Sequence, residues 1–151
     1  MTTYFTKKKE ISRDWLVIDA KDQVVGRLAS NLAVFLMGKH KAAYSPHLDT
    51  GDYVIVLNAD KVKFTGNKWD DKMYRRHTGF VGGIRTRTAK EMLEKKPADI
   101  LRIAVKGMLP KNQSLARRQL MKLKIYTGDK HPHAVQNPKA VKISSGGKVT
   151  E

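Results

Sequence analysis

Two segments of the chain carry the residue types best suited to bind phosphate groups. In the first, basic residues are interleaved with Tyr74, Phe80 and the pair Gly82-Gly83. Arginine offers a planar fork to phosphate, aromatic rings can stack on unpaired bases, and glycine lets backbone N–H groups approach a phosphate closely. The basic residues of this first segment are Lys68, Lys72, Arg75, Arg76, His77, Arg85 and Arg87.

The second basic segment contains no acidic residue between Asp99 and Asp129. One solvated basic face is ordinary for a helix, but two acid-poor segments in one small domain favour a polyanionic partner. We therefore interpret both segments as nucleic-acid contacts. The basic residues of the second segment are Arg102, Lys106, Lys111, Arg117, Arg118, Lys122 and Lys124.

Within the second segment, a short helix over 112–121 positions two arginines. Leu115 and Gln119 lie four residues apart and can pack on the domain, while Arg117 and Arg118 turn away from Leu115. We expect residues 108–124, with the lysine at 106, to be the main RNA-facing element of the chain.

The histidines suggest other chemistry. His131-Pro132-His133, with His77, His40 or His47, could bind a metal, but two ligands one residue apart without an acidic neighbour are a weak signal. His40 could act in acid–base cleavage of RNA. Its lysine neighbours favour a simpler phosphate contact. We therefore predict no metal and no cofactor, and add five RNA-contact candidates: Lys39, His40, Lys41, His131 and His133.

Acidic residues and glycine turns provide weaker candidates for a catalytic or nucleotide site. Asp49 and Asp52 bracket a turn before a strand, and Asp52 is also a candidate to hold a nearby lysine or arginine in place. An RNA-processing hydrolase using His40, His47 and Asp52 is the enzymatic alternative. The turn near Gly26 lacks the spaced glycines of a dinucleotide site, and no stretch matches a phosphate-binding loop.

Length and charge restrict the class of protein. The chain has 151 residues, no cysteine and a net charge of +16. Residues 1–60 carry 8 basic and 7 acidic residues, whereas residues 61–151 carry 22 and 7. No apolar run approaches the roughly 20 residues that span a bilayer, and no secretory signal is evident. We expect a cytoplasmic, single-domain protein, with a merely basic soluble protein as the plain alternative.

The elements that position these residues begin with a βαβ pattern. Trp15–Asp19 and Tyr53–Leu57 are apolar runs typical of buried strands. Between them, Leu28, Leu32 and Leu36 recur at helical spacing in a helix over 26–39 that Gly38 closes. Strand, helix and strand in this order predict a parallel sheet.

The second half of the chain is less regular. We expect mostly loop over 67–88, a capped helix over 88–96, and a helix over 97–108 that buries the residues at 100, 103, 104 and 105. A last strand is expected over 123–126. An N-terminal arm over 1–13 and a mobile tail over 139–151 complete the single domain.

Ten stretches resemble the L-thirteen family of large-subunit ribosomal proteins, in its bacterial or organellar form. They occur in the family's order and cover residues 13–138. The stretches are Trp15–Ala20, Gly26–Ser30, Gly38–Lys41, Tyr44–Asp52, Val54–Lys61, Thr65–Lys68, His77–Gly79, Ala104–Asn112, Lys122–Gly128 and His131–Pro138. One departure is a connection after Lys111 that is one residue longer, with Ala116 where the family usually has glycine.

The resemblance implies a three-layer α/β/α fold around a small central parallel sheet, with basic loops. It implies a non-enzymatic, structural role in the large ribosomal subunit, contact with large-subunit ribosomal RNA, and support of early assembly. Neighbouring large-subunit proteins are the expected protein partners. Messenger RNA in translational control is a further expected partner, and an mRNA-binding regulator stays open as a third hypothesis.

Overall fold

A four-stranded parallel sheet forms the centre of the domain, in the order β5-β2-β1-β6. The computed structural model describes residues 6–111, 114–143 and 149–150. The strands are β1 (Trp15–Asp19), β2 (Tyr53–Leu57), β3 (Met73–His77), β4 (Ile84–Thr88), β5 (Leu123–Ile125), β6 (Lys139–Ala140), β7 (Lys142–Ile143) and β8 (Val149–Thr150). The helices are α1 (Val25–Met37), α2 (Lys68–Asp71), α3 (Ala89–Lys95), α4 (Pro97–Met108) and α5 (Ser114–Met121). The α/β class with a small parallel sheet is confirmed.

Helix α1 follows the predicted pattern. Leu28, Leu32 and Leu36 are completely buried, because their spacing of four residues puts them on one face of the helix. Gly38 ends the helix in the left-handed conformation, with φ of 82°, and its N–H donates to the carbonyls of Phe35 and Val34. A glycine adopts this backbone angle without steric cost.

Helices α3 and α4 begin where their sequences predict. The Thr88 hydroxyl accepts a hydrogen bond from the Glu91 N–H at 3.3 Å and caps α3. Pro97 occupies the first turn of α4, which packs on α1. Helix α4 buries Ile100, Leu101 and Val105. The prediction that residue 103 points inward is wrong.

The two faces of the central sheet differ in what covers them. Leu16 and Val54, paired in register, face the main apolar core with α1 and α4. Side chains alternate along a strand, so Trp15 and Tyr53 lie on the opposite face. Their rings stack with centroids 4.4 Å apart, and the His133 ring lies 5.2 Å from that of Trp15. The aromatic rings thus cover an edge of the second face.

The segment over 67–88 was predicted to be mostly loop. It instead contains an antiparallel hairpin. β3 and β4 pair over five residues, from Met73↔Thr88 to His77↔Ile84. Basic side chains occupy five of these ten positions and most of the positions are exposed, so the strands lack the apolar alternation that identifies a strand from sequence. The hairpin packs on α3.

Both chain ends extend the folded domain beyond the predicted limits. Thr6 is buried, and its hydroxyl donates to the Ala43 carbonyl at 2.9 Å. Residues 139–143 are not a free tail, because β6 joins the central sheet and Ile143 is buried. The rest of the predicted tail, over 144–148 and at 151, lies outside the described residues, as do 1–5 of the predicted arm. Within the described part of the chain, no helix has the length and apolarity to cross a membrane.

Candidate nucleic-acid interface

Lys122 is a buried cation. It lies directly before β5 and is 4% exposed. Its Nζ donates to Asp49 Oδ1 at 2.5 Å and to the carbonyls of Gly51 at 2.8 Å and Leu36 at 3.4 Å. Burial lowers the pKa of Lys122 from its ordinary value, and the bond to Asp49 opposes that shift. The ammonium of Lys122, predicted to contact RNA, is instead bound to oxygens inside the protein.

Asp52 is a buried carboxylate, 1% exposed, that binds two of the predicted phosphate contacts. His40 Nε2 lies 2.8 Å from Asp52 Oδ2, and Lys41 Nζ forms an ion pair with Oδ1. The Asp14 N–H donates to the same carboxylate at 2.9 Å. Lys41 thus neutralises an internal acid that His40 also contacts, whereas Lys39 beside them is exposed. The expectation that Asp52 holds a nearby lysine is confirmed.

Arg13 Nη2 lies 3.8 Å from the second oxygen of Asp49, Oδ2. We refer to Arg13, His40, Lys41, Asp49, Asp52 and Lys122 as the charge network. A close backbone approach builds it. A Cβ placed on Gly51 would lie 1.8 Å from the Leu36 carbonyl oxygen, so only glycine lets this loop reach the end of α1. The Asp52 N–H then donates to the Phe35 carbonyl at 3.1 Å. This contact fixes Asp49 and Asp52 on either side of the loop, facing their cations.

The histidine pair near the C-terminus contacts aromatic residues of the domain. His133 Nε2 and the Tyr126 hydroxyl lie 2.9 Å apart, and His131 Nδ1 accepts from the His133 N–H at 3.2 Å. With the ring of Trp15 nearby, His133 has a clear packing role. Among the described residues, no three His, Asp or Glu side chains come together as a metal site.

The hairpin surface is the first exposed group of predicted contacts. Arg76 lies directly opposite Arg85, and Tyr74 directly opposite Arg87. The alternation of side chains places these four residues on one face of the hairpin, with Arg75 on the other. All of the hairpin arginines are at least partly exposed. They are Arg75, Arg76, Arg85 and Arg87, which we call the hairpin surface.

The neighbours of the hairpin surface behave less uniformly. Lys72 Nζ lies 5.4 Å from the centre of the Tyr74 ring, a cation–π distance. Lys68, at the start of α2, is exposed, and its Nζ contacts the Thr65 hydroxyl at 3.0 Å. At the hairpin turn, the Gly83 N–H donates to the Phe80 carbonyl at 2.9 Å. This internal bond occupies one of the backbone donors that were expected to approach a phosphate. At the same turn His77 is exposed, and its Nδ1 accepts from the Gly79 N–H.

Helix α5 carries the second exposed group. Gln119 is buried, and Arg117 and Arg118 are exposed, as the helical spacing predicts. They line a cleft of about 810 Å³ together with Lys106 and Lys111. These four cations form the α5 surface. Residues 112–113, where the helix was expected to begin, lie outside the described residues.

Lys124 and Arg102 lie beside the α5 surface but are not part of it. Both line a smaller cleft of about 460 Å³, and Arg117 borders it as well. Arg102 Nη1 lies 3.5 Å from Asp99 Oδ1, an exposed pair one helical turn apart. Such surface pairs contribute at most about 1 kcal/mol to stability. Arg102 can therefore exchange Asp99 for another anion at small cost.

The cations of the hairpin and α5 surfaces share one electrostatic property. None of them forms an ion pair with a carboxylate in the part of the chain that the structure describes. Their mutual repulsion opposes the compact state unless an external anion compensates it. The arrangement is suited to binding a polyanion and shows no catalytic constellation.

Two residues beside these surfaces were missed by the sequence analysis. Lys96, at the junction of α3 and α4, and Ile103, which is 44% exposed, line a cleft next to the hairpin. A signal for Ile103 was present. It lies outside the helical arc that Ile100, Leu101 and Val105 share, so a stricter use of the periodicity would have placed it on the surface.

Comparison with known proteins gives a consistent result. A family model described as ribosomal protein L13 matches residues 13–132. The large ribosomal subunit protein uL13 of Geobacter sulfurreducens is 55% identical over 142 residues, covering 94% of this chain and 99% of the relative. The uL13 protein of Desulfotalea psychrophila is 52% identical over 143 residues, covering 95% of this chain and 100% of the relative. That of Legionella pneumophila is also 52% identical, covering 95% and 99%.

Proposed function

The chain belongs to the ribosomal protein L13 family, and from this premise we propose that it is a structural constituent of the large ribosomal subunit. In this role it contacts large-subunit ribosomal RNA through the hairpin and α5 surfaces and supports early assembly of the subunit. Its place of action is the cytoplasm, where bacterial ribosomes lie. Large-subunit proteins that neighbour it in the particle are its protein partners.

The observation that carries this proposal is the separation of paired from unpaired cations. Acids in the charge network neutralise Lys41 and Lys122 inside the domain. Arg117 and Arg118 on α5 have no such partner among the described carboxylates. RNA supplies regularly spaced phosphates that a planar guanidinium binds through two hydrogen bonds. The ribosome contains RNA, so a member of a ribosomal protein family can use such a surface to bind it.

The structure does not support the enzymatic alternative, because its proposed catalytic residues have structural contacts inside the protein. A hydrolase using His40 and Asp52 requires a carboxylate and an imidazole that are available to a substrate. Asp52 is buried and accepts bonds from His40, Lys41 and the Asp14 N–H, which stabilises the loop before β2. The relatives are structural ribosomal proteins rather than enzymes. Messenger RNA as a partner stays a prediction that neither the fold nor the relatives support.

Incorporation into ribosomes tests the proposal. We expect Arg117→Ala with Arg118→Ala to reduce incorporation into large subunits roughly tenfold or more, because each charge-assisted contact contributes on the order of 1.5 kcal/mol. The matched control is Lys90→Ala with Lys95→Ala, which removes two exposed charges from α3. Tagged variants are expressed beside the untagged protein, and sedimentation measures their share of the large-subunit fraction. Equal incorporation of the two double variants would refute the α5 surface as an RNA contact.

A further inference from the structure

A cleft of about 970 Å³ separates the hairpin from helices α3 and α4. Arg76, Arg85 and Arg87 line it from the hairpin, and Lys96 and Lys106 line it from the helices. Because these cations come from three different elements, the cleft exists only in the folded domain. It lies beside the α5 surface, with which it shares Lys106.

The charges that line the cleft are poorly compensated by the protein. Arg76 and Arg85 face each other across the strand pair, an arrangement of like charges that destabilises a hairpin. Asp99 is the acid among the described lining residues, and it already lies 3.5 Å from Arg102. The hairpin keeps this repulsion without a described counter-ion, so the cleft favours an external polyanion.

Apolar side chains lie between the cations. Ile103 is 44% exposed in the cleft, and Met92 and the half-buried Tyr74 line the same cavity. A cleft lined by both apolar side chains and cations matches the chemistry of an unstacked nucleotide, which has an apolar base face and an anionic phosphate. A duplex keeps its bases stacked inside and presents its phosphates outside, so it would leave Ile103 without a partner.

We propose that the cleft between the hairpin and α4 binds an unpaired segment of RNA, with a base lying against Ile103 and phosphates on Arg85, Arg87 and Lys106. The inference rests on the proposed RNA-binding function and specifies the form of RNA that this part of the surface takes. The α5 surface contacts phosphates of either form. The protein therefore combines a site for unpaired nucleotides with a neighbouring phosphate contact.

Binding to two RNA probes tests the inference. Fluorescence anisotropy measures the affinity of the full-length protein for a labelled single-stranded oligoribonucleotide and for a duplex containing the same strand. We expect Ile103→Ala to weaken single-strand binding roughly fivefold, because it removes apolar surface that a base would cover, and to leave duplex binding unchanged. Val34→Ala is the matched control, since Val34 is 37% exposed and lies on α1. Equal effects of Ile103→Ala on both probes would overturn the proposal.

A photocrosslink gives an independent readout that does not rely on a variant. An oligoribonucleotide carrying 4-thiouridine should crosslink to peptides that contain residues 84–88 or 97–108. Crosslinks confined to other parts of the chain would overturn the proposal, even with strong RNA binding. Polyglutamate that competes as well as RNA of equal charge would likewise overturn it, in favour of an acidic peptide. If neither RNA probe binds, the proposed function itself fails, a result distinct from binding without single-strand preference.

Discussion

Lys122 and Arg118 lie four residues apart in the chain and have opposite surroundings. Lys122 is 4% exposed and bonds to Asp49 and two backbone carbonyls. Arg118 is exposed on α5 and has no ion pair with a described carboxylate. The charge network and the α5 surface differ in the same way. The supply of nearby acids, rather than the number of cations, therefore decides whether a basic residue stabilises the fold or is free to bind a partner.

The same contrast explains the uneven charge of the chain. Residues 1–60 contain almost as many acids as bases. Two of those acids, Asp49 and Asp52, form ion pairs with Lys122 and Lys41 of the charge network. Lys122 comes from the strongly basic half and is matched by Asp49 in the first half. Most other described cations of the second half are exposed, where the proposed RNA partner would neutralise them.

Salt dependence is the largest expected difference between the two regions. If the exposed surfaces neutralise about 6–10 phosphates, RNA affinity should fall roughly 10³–10⁵-fold between about 50 and 200 mM salt, by analogy with duplex DNA. Arg117→Ala with Arg118→Ala should reduce the slope of log affinity against log salt by about 2. Anisotropy titrations at several salt concentrations measure this. An affinity independent of salt would contradict the electrostatic account of the surface.

Stability should respond in the opposite way to changes in the charge network. We expect Lys122→Met to lower the free energy of unfolding by about 3 kcal/mol, because Asp49 and two carbonyls lose their partner. Urea denaturation measures the loss. Leu32→Ala, at a completely buried apolar site, is the benchmark and should cost about 2–5 kcal/mol. The Arg117 and Arg118 variant should unfold like the wild type. An undiminished stability of Lys122→Met would show that the network is not structural.

The pH dependence of stability gives the smallest and most specific difference. Burial lowers the pKa of Lys122 in the folded protein below the ordinary value of 10.5. Between the folded pKa and pH 10.5, Lys122 is therefore more protonated in the unfolded chain than in the folded protein. The free energy of unfolding therefore rises with pH up to 10.5, by about 1.4 kcal/mol for each unit of lowering. This contribution is lost again as pH falls through the folded pKa.

The measurement compares the wild type with Lys122→Met by urea denaturation from about pH 8 to about 10.5, the range that brackets the ordinary lysine value. We expect the wild type to gain stability relative to the variant as pH rises. Parallel pH profiles of the two proteins would contradict the burial of a protonated Lys122. Because both proteins share all other lysines, their titration cancels in the difference.

Much of the fold could be predicted from local pattern. The strands Trp15–Asp19 and Tyr53–Leu57 and helix α1 were expected within a residue or two of their observed bounds. Their apolar residues recur with the period of the element that they form, so the signal is contained in the segment itself. The hairpin gave no such signal, because its basic side chains remain exposed on both strands.

The sequence by itself determined the βαβ pattern, the uneven charge and the family. Tertiary structure alone decided which cations remain exposed. Asp49 and Lys122 are 73 positions apart, and no local pattern indicates that β5 brings them together. The cleft containing Ile103 likewise arises from the packing of the hairpin beside α3 and α4. Periodicity reports on neighbours within one element, whereas burial and ion pairing depend on contacts between elements that are distant in the chain.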